Sequence, residues 1–229
     1  MNLAGTEPES RKTRKKIVVV DDHPIVRRGF AFLINQETDM EVSGEAEDTG
    51  KALEIIDRIK PDLAIIDITL KDSNGMDLIK ELKKTRPGLP ILVVSIHDEL
   101  LFAERALRAG ARGYIMKQEA DEKMIEAIHR VLEGGIYLSR AMSERVLAIL
   151  AEGRPRDPAA LIDSLSDREL AAFQLIGQGY ETRQIAEMLQ VAVKTVDTYR
   201  TRIKRKLNLG NASQLVQYAV EWMITHRGL

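Results

Sequence analysis

Five short apolar runs, separated by longer stretches of helical period, fill the chain from Ile17 to about Glu133 and leave few ways to fold it. The runs IVVV (17–20), MEVSGEAE (40–47), DLAIID (62–67), PILVVSI (90–96) and GYIM (113–116) have strand length, and four of them are apolar enough to be covered on both faces. Apolar spacing predicts helices over 25–35, 51–59, 76–84, 100–108 and 124–132. Regular alternation of strand and helix implies a doubly wound, five-stranded parallel sheet with helices on both sides. In such open sheets chemistry gathers beyond the carboxyl ends of the strands.

Those ends carry reactive groups. Asp21 and Asp22 follow IVVV, Asp67 closes DLAIID, Ser95 ends ILVVS and Lys117 follows GYIM. With the first and third strands adjacent, three carboxylates share one pocket, and their repulsion raises at least one pKa unless a cation intervenes. Mg²⁺ suits such a pocket, because it takes oxygen ligands from a few carboxylates, waters and a phosphate. A lysine ammonium neutralises charge on a transferring phosphoryl group, and a serine hydroxyl donates to one of its oxygens. Asp67, ionised at neutral pH, needs no general base to act as a nucleophile and form an acyl phosphate. Each residue also has a plainer reading. Asp22 and Ser95 suit helix caps, and Lys117 suits an ordinary surface. Their coincidence on one rim favours the pocket.

The pattern changes at Glu152 to Pro158, where two prolines, a glycine and several charges read as a linker. Beyond it, helical period covers 166–178, 182–190, 194–207 and 212–225, and Ser166 with Glu169 forms a capping-box pattern at the first of these. The formal net charge is −1, so basic character is local: Lys194, Arg200, Arg202, Lys204, Arg205 and Lys206 stand against Asp197 alone. Val196, Ile203 and Leu207 form an inward stripe with Tyr199 beside it, while Lys194, Asp197, Thr198, Thr201 and Arg205 face outward. That outer face suits the major groove, and equally the solvated side of a plain helical bundle. The earlier run Arg11, Lys12, Arg14, Lys15, Lys16 is expected to be a solvated tail. No apolar stretch approaches the roughly 18 residues that cross a bilayer, so a cytoplasmic protein with no membrane partner is expected. The chain has no cysteine, which excludes disulfides, thiolate metal sites and cysteine nucleophiles.

Residues 17–133 resemble the receiver domains of two-component response regulators, through VVVDDHP, PDLAIIDITL, VVSIHDE and RAGARGYIMKQ. Residues 164–225 resemble the NarL/LuxR-type helix-turn-helix domain, through LSDRELAAFQLIGQG, IAEMLQVAVKTVDTYRTRIKRKLNL and ASQLVQYAVEW. The resemblance implies a basic tail (1–15), a flavodoxin-like receiver (16–135), a partly helical linker (136–160) and a small all-α DNA-binding domain (161–229). It implies that Asp67 accepts phosphate from a sensor histidine kinase. Asp21, Asp22, Asp67 and the main-chain carbonyl of Thr69 would then hold Mg²⁺, and Ser95 and Lys117 would contact the phosphoryl group. Tyr114 matches an aromatic whose ring turns inward as Ser95 moves; its plainer reading is a half-buried strand tyrosine. For the second domain it implies a recognition helix at about 193–207, with Lys194, Thr195, Asp197, Thr198, Thr201, Arg202, Lys204 and Arg205 toward double-stranded DNA. It further implies a homodimer on phosphorylation, through Leu215, Val216, Ala219 and Trp222, and leaves open whether the resting receiver covers the recognition helix. Such a chain is not an enzyme beyond assisting its own phosphotransfer and dephosphorylation.

Four positions depart from the family pattern. Lys71 and Gln118 stand where proline is frequent, the second in a cis bond that costs a non-proline residue about 2.5–4 kcal/mol. Ala192 replaces a capping serine, a loss of roughly 0.5–2 kcal/mol. Asp197 replaces a basic residue and is suited to accept from a cytosine amino group. Two rival readings exist. A Mg²⁺-dependent phosphohydrolase would need an acid where Thr69 stands. A constitutive DNA-binding or scaffolding module would keep the fold and drop the phosphate.

Overall fold

The strand β1 (Lys15–Val20) sits between β2 (Met40–Ala46) and β3 (Leu63–Ile66), parallel to both. Beyond β3 come β6 (Ile91–Ser95) and β7 (Gly113–Met116), giving the order β2-β1-β3-β6-β7. The computed structural model describes residues 14–70, 73–152 and 159–227.

Strand alternation sends successive side chains to opposite faces, and here both faces are buried. Ile17, Val19, Leu63, Ile65, Leu92 and Val94 pack against α1 (Pro24–Asn35) and α5 (Ala120–Leu132), meeting Phe30, Ile34, Met124 and Ile128. Val18, Val20, Ala64, Ile66, Ile91 and Val93 face α2 (Thr49–Ile59), α3 (Gly75–Thr85) and α4 (Glu99–Ala109), meeting Ile56, Ile79, Leu82 and Phe102. Each such aliphatic side chain contributes about 1.5–3 kcal/mol by leaving water. The helices start where the local chemistry allows. Asp48, Asn74 and Asp98 accept from the backbone of α2, α3 and α4, and Pro24 opens α1, where a missing N–H costs nothing.

Three local features differ from the sequence reading. A two-residue antiparallel hairpin, β4 (Thr69–Leu70) with β5 (Ser73–Asn74), follows Asp67, while Lys71 lies outside the described residues. Lys15 and Lys16 belong to β1; Lys15 Nζ lies 2.9 Å from Asp62 Oδ1, and Arg14 donates to the Glu37 carbonyl at 2.8 Å. This part of the basic run is therefore tied to the sheet and is no solvated tail; Arg11 and Lys12 lie outside the described residues. The segment after α5 also returns to the sheet, where the Tyr137 carbonyl accepts from the Tyr114 amide (3.0 Å) and buried Glu99 accepts from the Ser139 amide (2.9 Å).

α6 (Arg140–Glu152) follows, and residues 153–158 lie outside the description. The second half is a bundle of α7 (Ala159–Ile162), α8 (Asp167–Gly177), α9 (Thr182–Met188), α10 (Val193–Lys206) and α11 (Ala212–Arg227). α8 is its centre, buried from Glu169 to Ile176, and the expected Ser166–Glu169 capping box opens it. Among the described residues no peptide bond is cis, so Lys117–Gln118 is trans, and no helix is long and apolar enough to cross a membrane.

Gly75 holds the hairpin against the end of β3. A Cβ there would lie 1.9 Å from the Asp67 carbonyl oxygen, whereas one on Gly88 would meet nothing within 4 Å. Gly75→Ala is therefore expected to destabilise the protein by at least about 1–3 kcal/mol, the usual cost of overpacking. Gly88→Ala should lie within about 0.5 kcal/mol of wild type. Urea unfolding of the two variants checks this.

Candidate functional site

Parallel register sets the site. Val20 pairs with Ile66, so Asp21 and Asp67 are the next residues along adjacent strands, and the Asp67 amide still donates to the Val20 carbonyl at 2.9 Å. Both carboxylates are buried; Asp67 is 2% exposed. Lys117, arriving from β7, spans them, with Nζ 2.6 Å from Asp21 Oδ2 and 2.7 Å from Asp67 Oδ2. The Thr69 amide donates to Asp67 Oδ1 at 3.3 Å, and Ser95 is buried at the end of β6. Asp22 Oδ1 lies 2.7 Å from His23 Nδ1, and the His23 amide donates to Asp21 Oδ1 at 2.8 Å. Neither Asp22 nor Ser95 caps a helix, since α1 has His23 at its N-cap and α4 has Asp98.

The electrostatics follow from burial. Burial pushes Asp67 up to about 6, with Lys117 pulling it down and Asp21 pushing it up. Burial lowers the Lys117 ammonium, but Asp67 and Asp21 outweigh it and leave the group above its ordinary range. Asp21, Asp22, His23 and Asp67 each offer a ligand atom, all within 4.8 Å of one another. Asp21 Oδ2 and Asp22 Oδ1 are buried, with Lys117 Nζ and His23 Nδ1 as their ion-pair neighbours. Three carboxylates gathered against one ammonium fit a hard divalent cation. His23 is an addition to the expected set; its place directly after the acidic pair was the available signal.

Tyr114 is 1% exposed, which corrects the half-buried reading, and its hydroxyl donates to the His97 carbonyl at 2.9 Å. Burial, with Asp67 nearby, holds its phenol well above the ordinary range. His97 escaped the sequence reading altogether. Its ring is buried and stacked on Phe102, with Nε2 2.9 Å from Thr69 Oγ1. Burial lowers its pKa to about 4, so the ring is neutral at physiological pH.

In the second half, Lys194, Asp197, Thr198, Thr201, Arg202 and Arg205 are exposed on α10, Thr195 and Lys204 are half-buried, and Val196, Ile203 and Leu207 face inward. Ala192 occupies the N-cap without a side-chain bond. Lys206 turns inward, donating to the Ser164 carbonyl (2.8 Å) and Glu169 Oε2 (2.6 Å), and leaves the set of cations open to a ligand. α11 divides the expected dimer seam, leaving Val216 outward and turning the other three residues inward. Leu215, Ala219 and Trp222 are buried in the bundle, with the Trp222 ring 6.2 Å from Phe173, so they cannot meet a second chain without unpacking. The apolar residues left outward at four-residue spacing are Val216, Val220 and Ile224, the last 70% exposed.

The two halves touch at the pocket rim. Arg168 donates to the Ser73 carbonyl and Gln190 to Asp22, while Gln174 Oε1 lies 3.1 Å from His97 Nδ1. Arg105 on α4 donates to the carbonyls of Leu165 (2.7 Å) and Ile162 (3.0 Å) and to Asp167 Oδ1 (3.2 Å). The contact uses Ile162, Leu165, α8 and Gln190, while Lys194, Asp197, Thr198, Thr201, Arg202 and Arg205 of α10 stay exposed.

A family model described as the response regulator receiver domain matches residues 17–129, and one described as bacterial regulatory proteins, luxR family, matches residues 163–219. The oxygen regulatory protein NreC of Staphylococcus carnosus (strain TM300) is 35% identical over 210 residues, 90% of this chain and 97% of that protein. NreC of Staphylococcus haemolyticus (strain JCSC1435) is 34% identical over the same shares. Among solved structures, a LuxR-family two-component response regulator from Aurantimonas sp. SI85-9A1 aligns with a TM-score of 0.56 and 30% identity, over 59% of this chain and 96% of that one. RcsB from Salmonella enterica serovar Typhimurium, bound to promoter rprA, aligns with a TM-score of 0.59 and 24% identity, over 91% of this chain and 99% of that one; this likeness speaks for the fold.

The raised carboxyl gives a pH signature. A cation needs Asp67 deprotonated, so affinity for Mg²⁺ is expected to be flat above about pH 6 and to fall by up to about tenfold per unit below it. Thermal-shift titrations with Mg²⁺ across a pH series check this, and Asp67→Asn should remove the dependence.

Proposed function

As this chain belongs to the two-component response regulators that join a receiver to a LuxR-type DNA-binding domain, we propose that Asp67 takes a phosphoryl group from a sensor histidine kinase and so controls promoter binding by a homodimer. The chain is a phosphorylation-dependent regulator of transcription and no enzyme in the ordinary sense. One observation carries the chemistry: the Lys117 ammonium lies within 2.7 Å of carboxylates from two other strand ends. An Asp67 carboxylate oxygen attacks phosphorus, the P–N bond of the donor phosphohistidine breaks, and the departing imidazole takes a proton from solvent. Lys117 offsets charge on the transferred group and the Ser95 hydroxyl donates to one of its oxygens. Asp21, Asp22, Asp67 and the Thr69 carbonyl would hold Mg²⁺, which would supply charge neutralisation at the phosphoryl oxygens. The receiver assists this transfer and its own dephosphorylation only. Thr69 does not suit the acid a phosphohydrolase needs, because its hydroxyl has no acidic proton to give and faces His97.

The division we propose is a receiver at 16–135, a joining segment at 136–160 and a DNA-binding domain at 161–229, with DNA as partner in the cytoplasm. On α10, Lys194, Arg202, Lys204 and Arg205 are suited to phosphates, and Thr195, Asp197, Thr198 and Thr201 to base edges. The outward stripe of Val216, Val220 and Ile224 supports dimer contact on a two-fold related site.

Incubation with Mg²⁺ and acetyl phosphate is expected to add one phosphoryl group to the wild type and none to Asp67→Asn, read by intact mass; equal gain in the variant overturns the reading. For DNA, log affinity should fall linearly with log salt, and Arg205→Ala should lower the slope by about one. Thr198→Val should instead change sequence preference, measured by selection from a random pool.

A further inference from the structure

His97 has four ties, and they lead to different parts of the molecule. Its amide donates to Ser95 Oγ at 3.4 Å, and its carbonyl accepts from Tyr114 Oη at 2.9 Å. Ring Nε2 lies 2.9 Å from Thr69 Oγ1, and ring Nδ1 lies 3.1 Å from Gln174 Oε1 on α8. The first three stay within the receiver. The fourth crosses to the DNA-binding domain. Both side chains at that crossing are buried, His97 at 1% and Gln174 at 2% exposure, so water does not readily replace a partner that leaves. The ring is also stacked on Phe102, with centroids 4.7 Å apart.

We propose that His97 is the junction through which occupation of Asp67 reaches the DNA-binding domain, with Gln174 as the receiving group. The proposal rests on the phosphoacceptor reading above. Its polarity follows from the atoms. Gln174 presents its carbonyl oxygen, so Nδ1 carries the proton of the neutral ring and Nε2 presents a lone pair, which the Thr69 hydroxyl meets by donating. A phosphoryl group brings acceptor oxygens into the pocket that Thr69 and Ser95 border. An oxygen that draws the Ser95 hydroxyl takes the acceptor from the His97 amide, and one that draws the Thr69 proton takes the donor from Nε2. Either loss frees the residue to shift, and a shift of about half an ångström carries the Gln174 contact out of hydrogen-bond range. Two other ties across the contact, Arg168 to the Ser73 carbonyl and Gln190 to Asp22, sit on the same rim, while those of Arg105 to Ile162, Leu165 and Asp167 lie along α4.

The chain has no cysteine, so two can be introduced at the exposed positions Glu54 and Gln217 and labelled with a fluorophore pair. Energy transfer then reads the ratio of separated to docked domains, with and without beryllium fluoride and Mg²⁺ as a stand-in for the acyl phosphate. Loading is expected to raise that ratio in the wild type. Gln174→Leu should raise it by roughly five- to tenfold before loading, the worth of one buried hydrogen bond, and loading should then add little. His97→Phe, which keeps the stack, should behave alike, and His97→Gln should restore part of the response. A contact with no role in the relay predicts the opposite: loading shifts the Gln174→Leu ratio by the same factor as in the wild type, because independent effects multiply. That result overturns the proposal, as does a wild type that takes up phosphate without separating. Acetyl phosphate uptake by Gln174→Leu, read by mass and expected to equal the wild type, keeps the two readings apart: failure of uptake in the wild type overturns the phosphoacceptor assignment itself.

Discussion

An ammonium group wedged between two buried carboxylates is the constraint on which the rest of this molecule depends. Without Lys117, Asp21 and Asp67 would be like charges removed from water with little to compensate them, and removing one partner from such an arrangement commonly costs about 3–5 kcal/mol. The strand order makes the arrangement possible. β1 and β3 are neighbours whose ends lead into the acids, while Lys117, the residue after β7 at the sheet edge, reaches back toward them. The result is a pocket whose three carboxylates outnumber its one ammonium, an excess of negative charge that a cation would balance.

The polar ties between the two halves are each modest. The neutral His97–Gln174 bond contributes about 0.5–1.5 kcal/mol net and those that involve Arg105, Arg168 or Asp22 about 1.5–3 each, so no single tie exceeds a few kcal/mol. On the phosphoacceptor reading proposed above, a phosphoryl group with nearly two negative charges would arrive at the spot where three of those ties end. A balance this shallow is what a switch requires, because a deep one would not respond to a single modification.

Much of this was legible in the sequence, and the rest was hidden for identifiable reasons. Asp21, Asp67, Ser95 and Lys117 announced themselves because each ends a strand whose apolar run is easy to see. The β4–β5 hairpin did not, since two-residue strands carry no period. α11 carries two apolar stripes, one of Leu215, Ala219 and Trp222 and one of Val216, Val220 and Ile224, and periodicity does not say which faces α8. His97, Gln174, Arg168 and Gln190 are ordinary residues until distant parts of the chain meet, and no local pattern marks a contact between domains. Lys206 looked like one more cation of a basic helix, yet the carboxylate it binds belongs to the capping box of α8.

That last bond has a mechanical meaning. Because the final turn of α10 is fastened to the first turn of α8, the helix that would enter a groove has no joint of its own. Any pull on α8 is transmitted stiffly to it, as through a lever arm. The DNA-reading surface therefore need not change shape to be regulated; it need only be swung, whole and already formed, toward or away from its target.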